Sequence, residues 1–148
     1  MIVECMPRDK CIEYVQYLDI PTLVISIRTF HDLIPIELTD NSIINLIHTE
    51  FFEFNDEIVE LPQLHCITDE DASRIAKTVK KYKNKVQQII VHCDAGISRS
   101  AGVAGAIAKY LNNDDNKFFM APYCPNMTCY TKVLFALNDF CSEVNNNE

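Results

Sequence analysis

The length, composition and charge of this chain exclude several classes of protein. A net charge of −8 over 148 residues argues against binding to nucleic acid or to an anionic membrane, because both need a basic surface. The hydrophobic fraction of 48% fits one globular domain over residues 1–148, and no stretch approaches the roughly 20 apolar residues that span a bilayer.

The N-terminus and the cysteines indicate the compartment. Residues 1–7 lack a basic segment followed by an apolar one, so they do not resemble a secretory signal. The seven cysteines are odd in number and show no metal-ligand spacing. We therefore expect a cytoplasmic, reducing setting in which the thiols are free.

The first half of the chain alternates between apolar strands and an amphipathic helix. Residues 2–5 predict a short strand, and residues 8–18 predict a helix with one apolar face. The apolar run 22–27 predicts a buried strand. Residues 41–47 predict a short helix or turn, and residues 48–54 predict a further strand.

The second half continues the same alternation. Thr68 and Asp71 predict a capping box at the start of a helix with a lysine-rich end. Residues 86–91 predict a buried strand, and residues 98–111 and 125–144 predict the last two helices. Strands that alternate with helices predict an α/β fold, in which a central, mainly parallel sheet is flanked by helices on both faces.

One junction between a predicted strand and a predicted helix concentrates the reactive side chains. In parallel sheets, ligands bind outside the carboxyl ends of the strands, which is where this junction lies. The amides of such a loop and the positive end of the helix dipole favour a tetrahedral dianion, and they also favour a thiolate. The junction reads His92-Cys93-Asp94-Ala95-Gly96-Ile97-Ser98-Arg99-Ser100.

The residue types in this junction suit phosphoryl transfer. As a thiolate, Cys93 can attack phosphorus. Gly96 has no Cβ, so its backbone can adopt a positive φ and approach a phosphate closely. Arg99 offers a planar fork that can hold two phosphate oxygens into a loose transition state. We therefore expect the following residues to bind phosphate: Asp94, Ala95, Gly96, Ile97, Ser98 and Arg99.

The pattern His-Cys-x5-Arg-Ser resembles the signature of the cysteine-dependent protein phosphatases. Among them, the chain is most similar to the compact dual-specificity enzymes and to the bacterial or phage-type tyrosine phosphatases. The resemblance implies hydrolysis of phosphotyrosine in a protein or peptide through a phosphocysteine intermediate, without metal or cofactor, and leaves phosphoserine and phosphothreonine open. It also implies that Ser100 donates to the thiolate and that His92 braces the loop.

A phosphate ester also needs a proton donor for its leaving oxygen. The resemblance implies an aspartate on a separate loop upstream of the cysteine. Asp56 precedes Cys93 by 37 residues (93 − 56) and follows a predicted strand, so we expect it to be the general acid and then the base for water. Asp69 and Asp71 are nearer, but the capping box gives them a structural role. The chain has no tryptophan, so the Trp-Pro-Asp form of the acid loop is absent.

Several alternatives stay open. The loop between Cys93 and Arg99 has no basic residue, which disfavours phosphoinositides, and the acidity of the chain disfavours RNA 5′-triphosphates. A catalytically weak phosphoprotein-binding module would keep the loop but lack a working acid. A phosphatase for a non-protein phosphate ester is the other alternative. Redox regulation by Cys66, Cys124 or Cys129 and the oligomeric state are also open.

Overall fold

The computed structural model describes residues 1–29, 46–56 and 65–139. Within these ranges the strands are β1 (Ile2–Pro7), β2 (Thr22–Arg28), β3 (Ile47–Glu53) and β4 (Gln88–Cys93). The α-helices are α1 (Arg8–Val15), α2 (Asp69–Tyr82), α3 (Arg99–Asn112) and α4 (Met127–Leu137), and a 3-10 turn covers Asn116–Phe119. Strands and helices alternate along most of the described chain, as the sequence predicts.

The four strands form one sheet in the order β1-β4-β2-β3, and every pairing is parallel. Pro7 at the end of β1 pairs with Cys93, and Ser26 in β2 pairs with His92. The carboxyl ends of three neighbouring strands therefore meet at one edge of the sheet, on both sides of Cys93. The predicted parallel α/β fold is confirmed.

Helices cover both faces of this sheet. On one face, α1 packs through Cys11 and Val15 against Val24 and Ile90. The other face carries α2, α3 and α4, whose apolar side chains share one core with the strands. The largest fully buried members of that core are Phe52, Phe54, Phe118, Leu23, Ile25, Ile27, Ile75, Ile89, Ile107 and Leu137.

The start of α2 is set by the predicted capping box. The hydroxyl of Thr68 accepts from the N–H of Asp71 at 3.0 Å, and Oδ2 of Asp71 accepts from the N–H of Thr68 at 2.9 Å. Two helix N-terminal donors are thereby satisfied, and such a cap is worth about 1 kcal/mol. Lys80 and Lys81 occupy the last turn, where the helix dipole favours positive charge.

Some predicted element bounds are wrong. The strand predicted at 86–91 runs to Cys93, because its pairing with β1 continues to Pro7. The last helix begins at Met127, since Asn126 is its N-cap, and it ends at Leu137. The predicted helix over 125–144 is therefore wrong at 125–126 and at 138–139.

Parts of two predicted elements lie outside the described residues. They are residues 140–144 of the last helix and residues 41–45 of the short helix or turn. Among the described helices, the structure has none that combines the length and the hydropathy of a membrane span.

Candidate active site

Residues 94–98 form the loop that connects β4 to α3. Cys93 is the last residue of β4 and only 2% of it is exposed. Ser98 is the N-cap of α3, and Arg99 and Ser100 open that helix as buried residues. The loop therefore presents its backbone between the end of the central strand and the start of a helix, where an anion is favoured.

Two polar groups contact the sulfur of Cys93. The N–H of Gly96 donates to Sγ at 3.3 Å. Oγ of Ser100 lies 3.2 Å from the same Sγ, close enough for its hydroxyl to donate to a thiolate. The buried sulfur therefore has a backbone N–H and a hydroxyl within hydrogen-bond distance.

The first strand braces this loop from outside. Gly96 has φ of +72°, and a Cβ at that position would come within 2.3 Å of the Pro7 nitrogen. The N–H of Arg8 donates to the carbonyl of Asp94 at 3.3 Å. The loop is thus pressed against the end of β1 and the start of α1, which only a glycine permits.

Both terminal nitrogens of the Arg99 guanidinium donate hydrogen bonds within the protein. Nη1 donates to the carbonyl of Phe54 at 2.9 Å, and Nη2 donates to Oδ2 of Asp94 at 3.3 Å. The Asp94 carboxylate also lies 4.0 Å from Nη1 of Arg8. Because the Arg99 side chain is 8% exposed, these partners fix the plane of its fork beside the loop.

Asp56 lies against the other side of the loop. Its Oδ1 accepts from the hydroxyl of Ser98 at 2.7 Å and from Nδ2 of Asn126 at 2.7 Å. Its backbone carbonyl accepts from the same Nδ2 at 3.0 Å. An exposed carboxylate is therefore tied to the loop through Ser98 and to α4 through Asn126.

The two other aspartates considered as acids are bound to different partners. Asp69 forms an ion pair with Lys132, whose Nζ lies 2.6 Å from Oδ1. Asp71 accepts from the capping N–H of Thr68, and Nε2 of His65 lies 3.3 Å from its Oδ2. Both carboxylates therefore act at the start of α2.

His92 and Ile97 complete the loop environment. His92 is 1% exposed, and its Nδ1 lies 3.4 Å from the carbonyl oxygen of Cys93. The carbonyl of Ile97 accepts from the N–H of Cys124 at 3.0 Å, which ties the loop to the segment before α4. The side chain of Ile97, by contrast, faces outward.

Three other cysteines are buried in the core. Burial raises the pKa of Cys5 to about 11 and of Cys11 and Cys129 to about 12. Every cysteine within the described ranges is a free thiol, including Cys124. Among the same residues, no three His, Cys, Asp or Glu side chains form a metal-binding group.

Asn126 and Asp94 have contacts in this site that sequence reasoning missed. An asparagine just before a helix predicts an N-cap, and Asn126 is one. Its second contact, with Asp56, joins residues 70 positions apart and leaves no local signal. The contact of the Asp94 side chain with Arg99 likewise depends on the folded loop, not on spacing.

No family model matches the chain. A curated relative from Candida albicans (strain WO-1), described as a "Probable tyrosine-protein phosphatase", is 33% identical over a match that covers 51% of this chain. That match covers 16% of the relative, so the chain spans about a sixth of its length.

Two solved structures match this chain over most of its length. The "Crystal structure of Tk-PTP in the active form" has a TM-score of 0.55 at 14% identity, covering 91% of this chain and 90% of that one. The "Crystal Structure of PTPMT1" has a TM-score of 0.49 at 13% identity, covering 99% and 94%. The Tk-PTP match shows the shared fold. The chain is therefore similar in sequence to a probable tyrosine-protein phosphatase and in fold to Tk-PTP.

Proposed function

We propose that this chain is a protein phosphatase that hydrolyses phosphotyrosine through a phosphocysteine intermediate and needs no metal. The observation that carries the proposal is the position of the Cys93 sulfur, between the N–H of Gly96 and the hydroxyl of Ser100. A thiolate held there at the mouth of an anion-binding loop is a nucleophile for phosphorus. We assign this activity to a single catalytic domain over residues 1–148.

In the first step, Sγ of Cys93 attacks phosphorus and forms an S–P bond. The P–O bond to the leaving group breaks, and its electron pair passes to the leaving oxygen, which takes a proton from Asp56. Arg99 and the amides of residues 94–98 hold the three equatorial oxygens. Because the transition state is loose, this positioning and charge supply most of the catalysis.

In the second step, water attacks phosphorus and the ionised Asp56 takes its proton. The S–P bond breaks, its electron pair returns to Sγ of Cys93, and inorganic phosphate leaves. The Ser100 hydroxyl, 3.2 Å from that sulfur, stabilises the departing thiolate. His92 braces the loop through its contact with the Cys93 carbonyl.

The substrate class follows from the charge of the loop. Residues 94–98 include one carboxylate and no basic residue, so the loop offers one phosphate site and no second cationic contact inside it. This favours a phosphomonoester of a protein side chain over a polyphosphorylated lipid. We also propose a cytoplasmic, reducing location, because Cys93 must remain a thiol to act.

The proposal is tested by the kinetics of the unmodified chain and of Cys93→Ser. The substrates are phosphotyrosine, phosphothreonine and phosphoinositide, with Cys124→Ser as the matched control because Cys124 is exposed. We expect Cys93→Ser to lose turnover and retain phosphate binding, while Cys124→Ser keeps the unmodified rate. Unchanged turnover in Cys93→Ser would rule out the mechanism. Phosphopeptide binding by the unmodified chain without turnover would show a binding module instead.

A further inference from the structure

We propose that Asn126 is the positioning residue for Asp56, and that the proton Asp56 transfers is carried on its Oδ2. This inference rests on the proposed function and adds to it a positioning residue and the oxygen atom that carries the proton. Its starting observation is the pair of contacts from one amide, Nδ2 of Asn126, to Oδ1 and to the backbone carbonyl of Asp56.

The two contacts restrict Asp56 in different ways. The contact with the carbonyl, at 3.0 Å, holds the backbone of Asp56 next to α4. The contact with Oδ1, at 2.7 Å, selects one orientation of the carboxylate. An exposed aspartate on a loop otherwise rotates freely among its rotamers. The Asn126 amide therefore restricts both the backbone position and the side-chain rotamer of Asp56.

Asn126 can do this because it is itself fixed. Its Oδ1 accepts from the N–H groups of Thr128 and Cys129 at 3.0 and 3.1 Å, as the N-cap of α4. Its own N–H donates to the carbonyl of Ser98 at 3.0 Å. Since Oδ1 must face these helix donors, the amide cannot flip, and Nδ2 must face Asp56.

A glycine in α3 allows this close approach. A Cβ at Gly102 would lie 2.4 Å from the carbonyl oxygen of Asn126 and 3.1 Å from Cβ of Cys129. The start of α4 therefore packs directly on the backbone of α3, one turn after the loop. The amide of Asn126 is thus placed relative to the loop by main-chain contacts.

The same contacts distinguish the two oxygens of Asp56. Oδ1 accepts from the hydroxyl of Ser98 and from Nδ2 of Asn126. An amide nitrogen only donates, so Oδ1 must remain an acceptor in both protonation states. The acidic proton therefore sits on Oδ2, and that oxygen serves the leaving group and then the attacking water.

The test uses Asn126→Ser, which keeps a capping oxygen and loses the amide donor. Asn138→Ser, the same change at the other end of α4, is the control. Each variant is assayed on two aryl phosphates, one with a good and one with a poor leaving group. We expect kcat/KM of Asn126→Ser, which reports the first step alone, to fall about 10-fold or more on the poor leaving group, which depends on the acid. It is expected to stay within about twofold on the good leaving group.

A double-mutant cycle with Asp56→Ala separates positioning from general damage to the fold. If Asn126 acts through Asp56, Asn126→Ser has no further effect on kcat/KM in the Asp56→Ala background. An equal loss of kcat/KM on both aryl phosphates, or a loss that persists without Asp56, would overturn the inference. Wild-type kinetics for Asn126→Ser would overturn it as well.

Failure of the proposed function is recognised separately. It fails if the unmodified chain has no phosphatase activity or if Cys93→Ser keeps turnover, whereas only the present inference fails if Cys93→Ser is inactive and Asn126→Ser behaves like the unmodified chain. An NMR measurement tests the contact without turnover. The side-chain amide signals of Asn126 are expected to shift in Asp56→Ala, and unchanged signals would overturn the anchoring.

Discussion

Gly96 lies directly against Pro7, and the backbone of Pro7 leaves no room for a side chain at position 96. A Cβ on Gly96 would approach the Pro7 nitrogen to 2.3 Å, and its φ of +72° already disfavours any other residue. Pro7 ends β1 beside Cys93. The shape of the loop over residues 94–98 therefore depends on the first strand, which ends 89 residues before Gly96 (96 − 7).

We first predict that Gly96→Ala lowers kcat/KM about 100-fold or more. The added methyl group must displace the loop from the end of β1, and displacements of about 1 Å cost this much when the displaced groups hold the reacting atoms. Gly105→Ala is the control, because a Cβ there meets only side chains, at 3.4 Å or more. Normal vanadate binding and kinetics in Gly96→Ala would contradict this account of the loop.

The second prediction concerns the general acid. Asp56→Asn removes the transferable proton while keeping the size of the side chain, so kcat is expected to fall about 10²–10⁴-fold. Asp69→Asn is the matched control, since it breaks only the ion pair with Lys132. Steady-state kinetics on an aryl phosphate with a poor leaving group measures both. If Asp69→Asn or Asp71→Asn shows the large loss, Asp56 is not the acid.

The third prediction is that lysine does not replace Arg99. Nη1 and Nη2 have separate partners, the Phe54 carbonyl and Asp94, and a single ammonium group cannot keep both while it also holds phosphate. Arg99→Lys is expected to lower kcat/KM about 10- to 100-fold, as loss of a charge-assisted hydrogen bond does. The exposed Arg74→Lys serves as control, and comparable rates for the two variants would refute the bidentate role.

The fourth prediction concerns stability at alkaline pH. Burial raises the pKa of Cys11 from 9.0 to about 12, so above pH 9 the unfolded chain loses a proton that the folded chain keeps. The stability from this thiol is complete below pH 9 and is lost as pH rises towards 12, at about 1.4 kcal/mol per pH unit. Urea unfolding between pH 8 and 10.5 measures the slope.

Cys11→Ala is expected to flatten that slope, because the substituted side chain does not titrate. It should also lower the free energy of unfolding at pH 8, since it leaves a small cavity beside Val24 and Ile90. Cys124→Ala, at an exposed thiol, is measured beside it as the control for removal of a thiol. Identical slopes for Cys11→Ala and the unmodified chain would show that Cys11 ionises normally in the folded state.

The features that the sequence predicts correctly are those determined by residues close together in the chain. The capping box of Thr68 and Asp71 is confirmed because its two partners are three residues apart. The parallel sheet is confirmed as well. It could be predicted because apolar strands alternate with helices along the chain. The junction around Cys93 was recognised from nine contiguous residues, and the roles of its side chains stay predictions.

What could not be predicted depends on contacts between distant segments. The sequence predicts that α4 begins at 125, because Pro125 suits the first turn of a helix. In the structure Asn126 is the N-cap instead, so the first helical residue is Met127. The contact of Asn126 with Asp56 joins two loops that come together only when α4 packs on α3. Neither apolar periodicity nor cap preference contains that information.

The pairing of β1 with β4 has a consequence for synthesis on the ribosome. Ile2 pairs with Gln88, so the first strand must wait for a partner 86 residues later (88 − 2) before the sheet can close. Such non-local pairing is slow, and a nascent chain gains it only after most of the domain has emerged. A translation product that stops before residue 126 would carry Cys93 without the contact between Asn126 and Asp56, so under the proposed function unfinished chains are expected to be inactive.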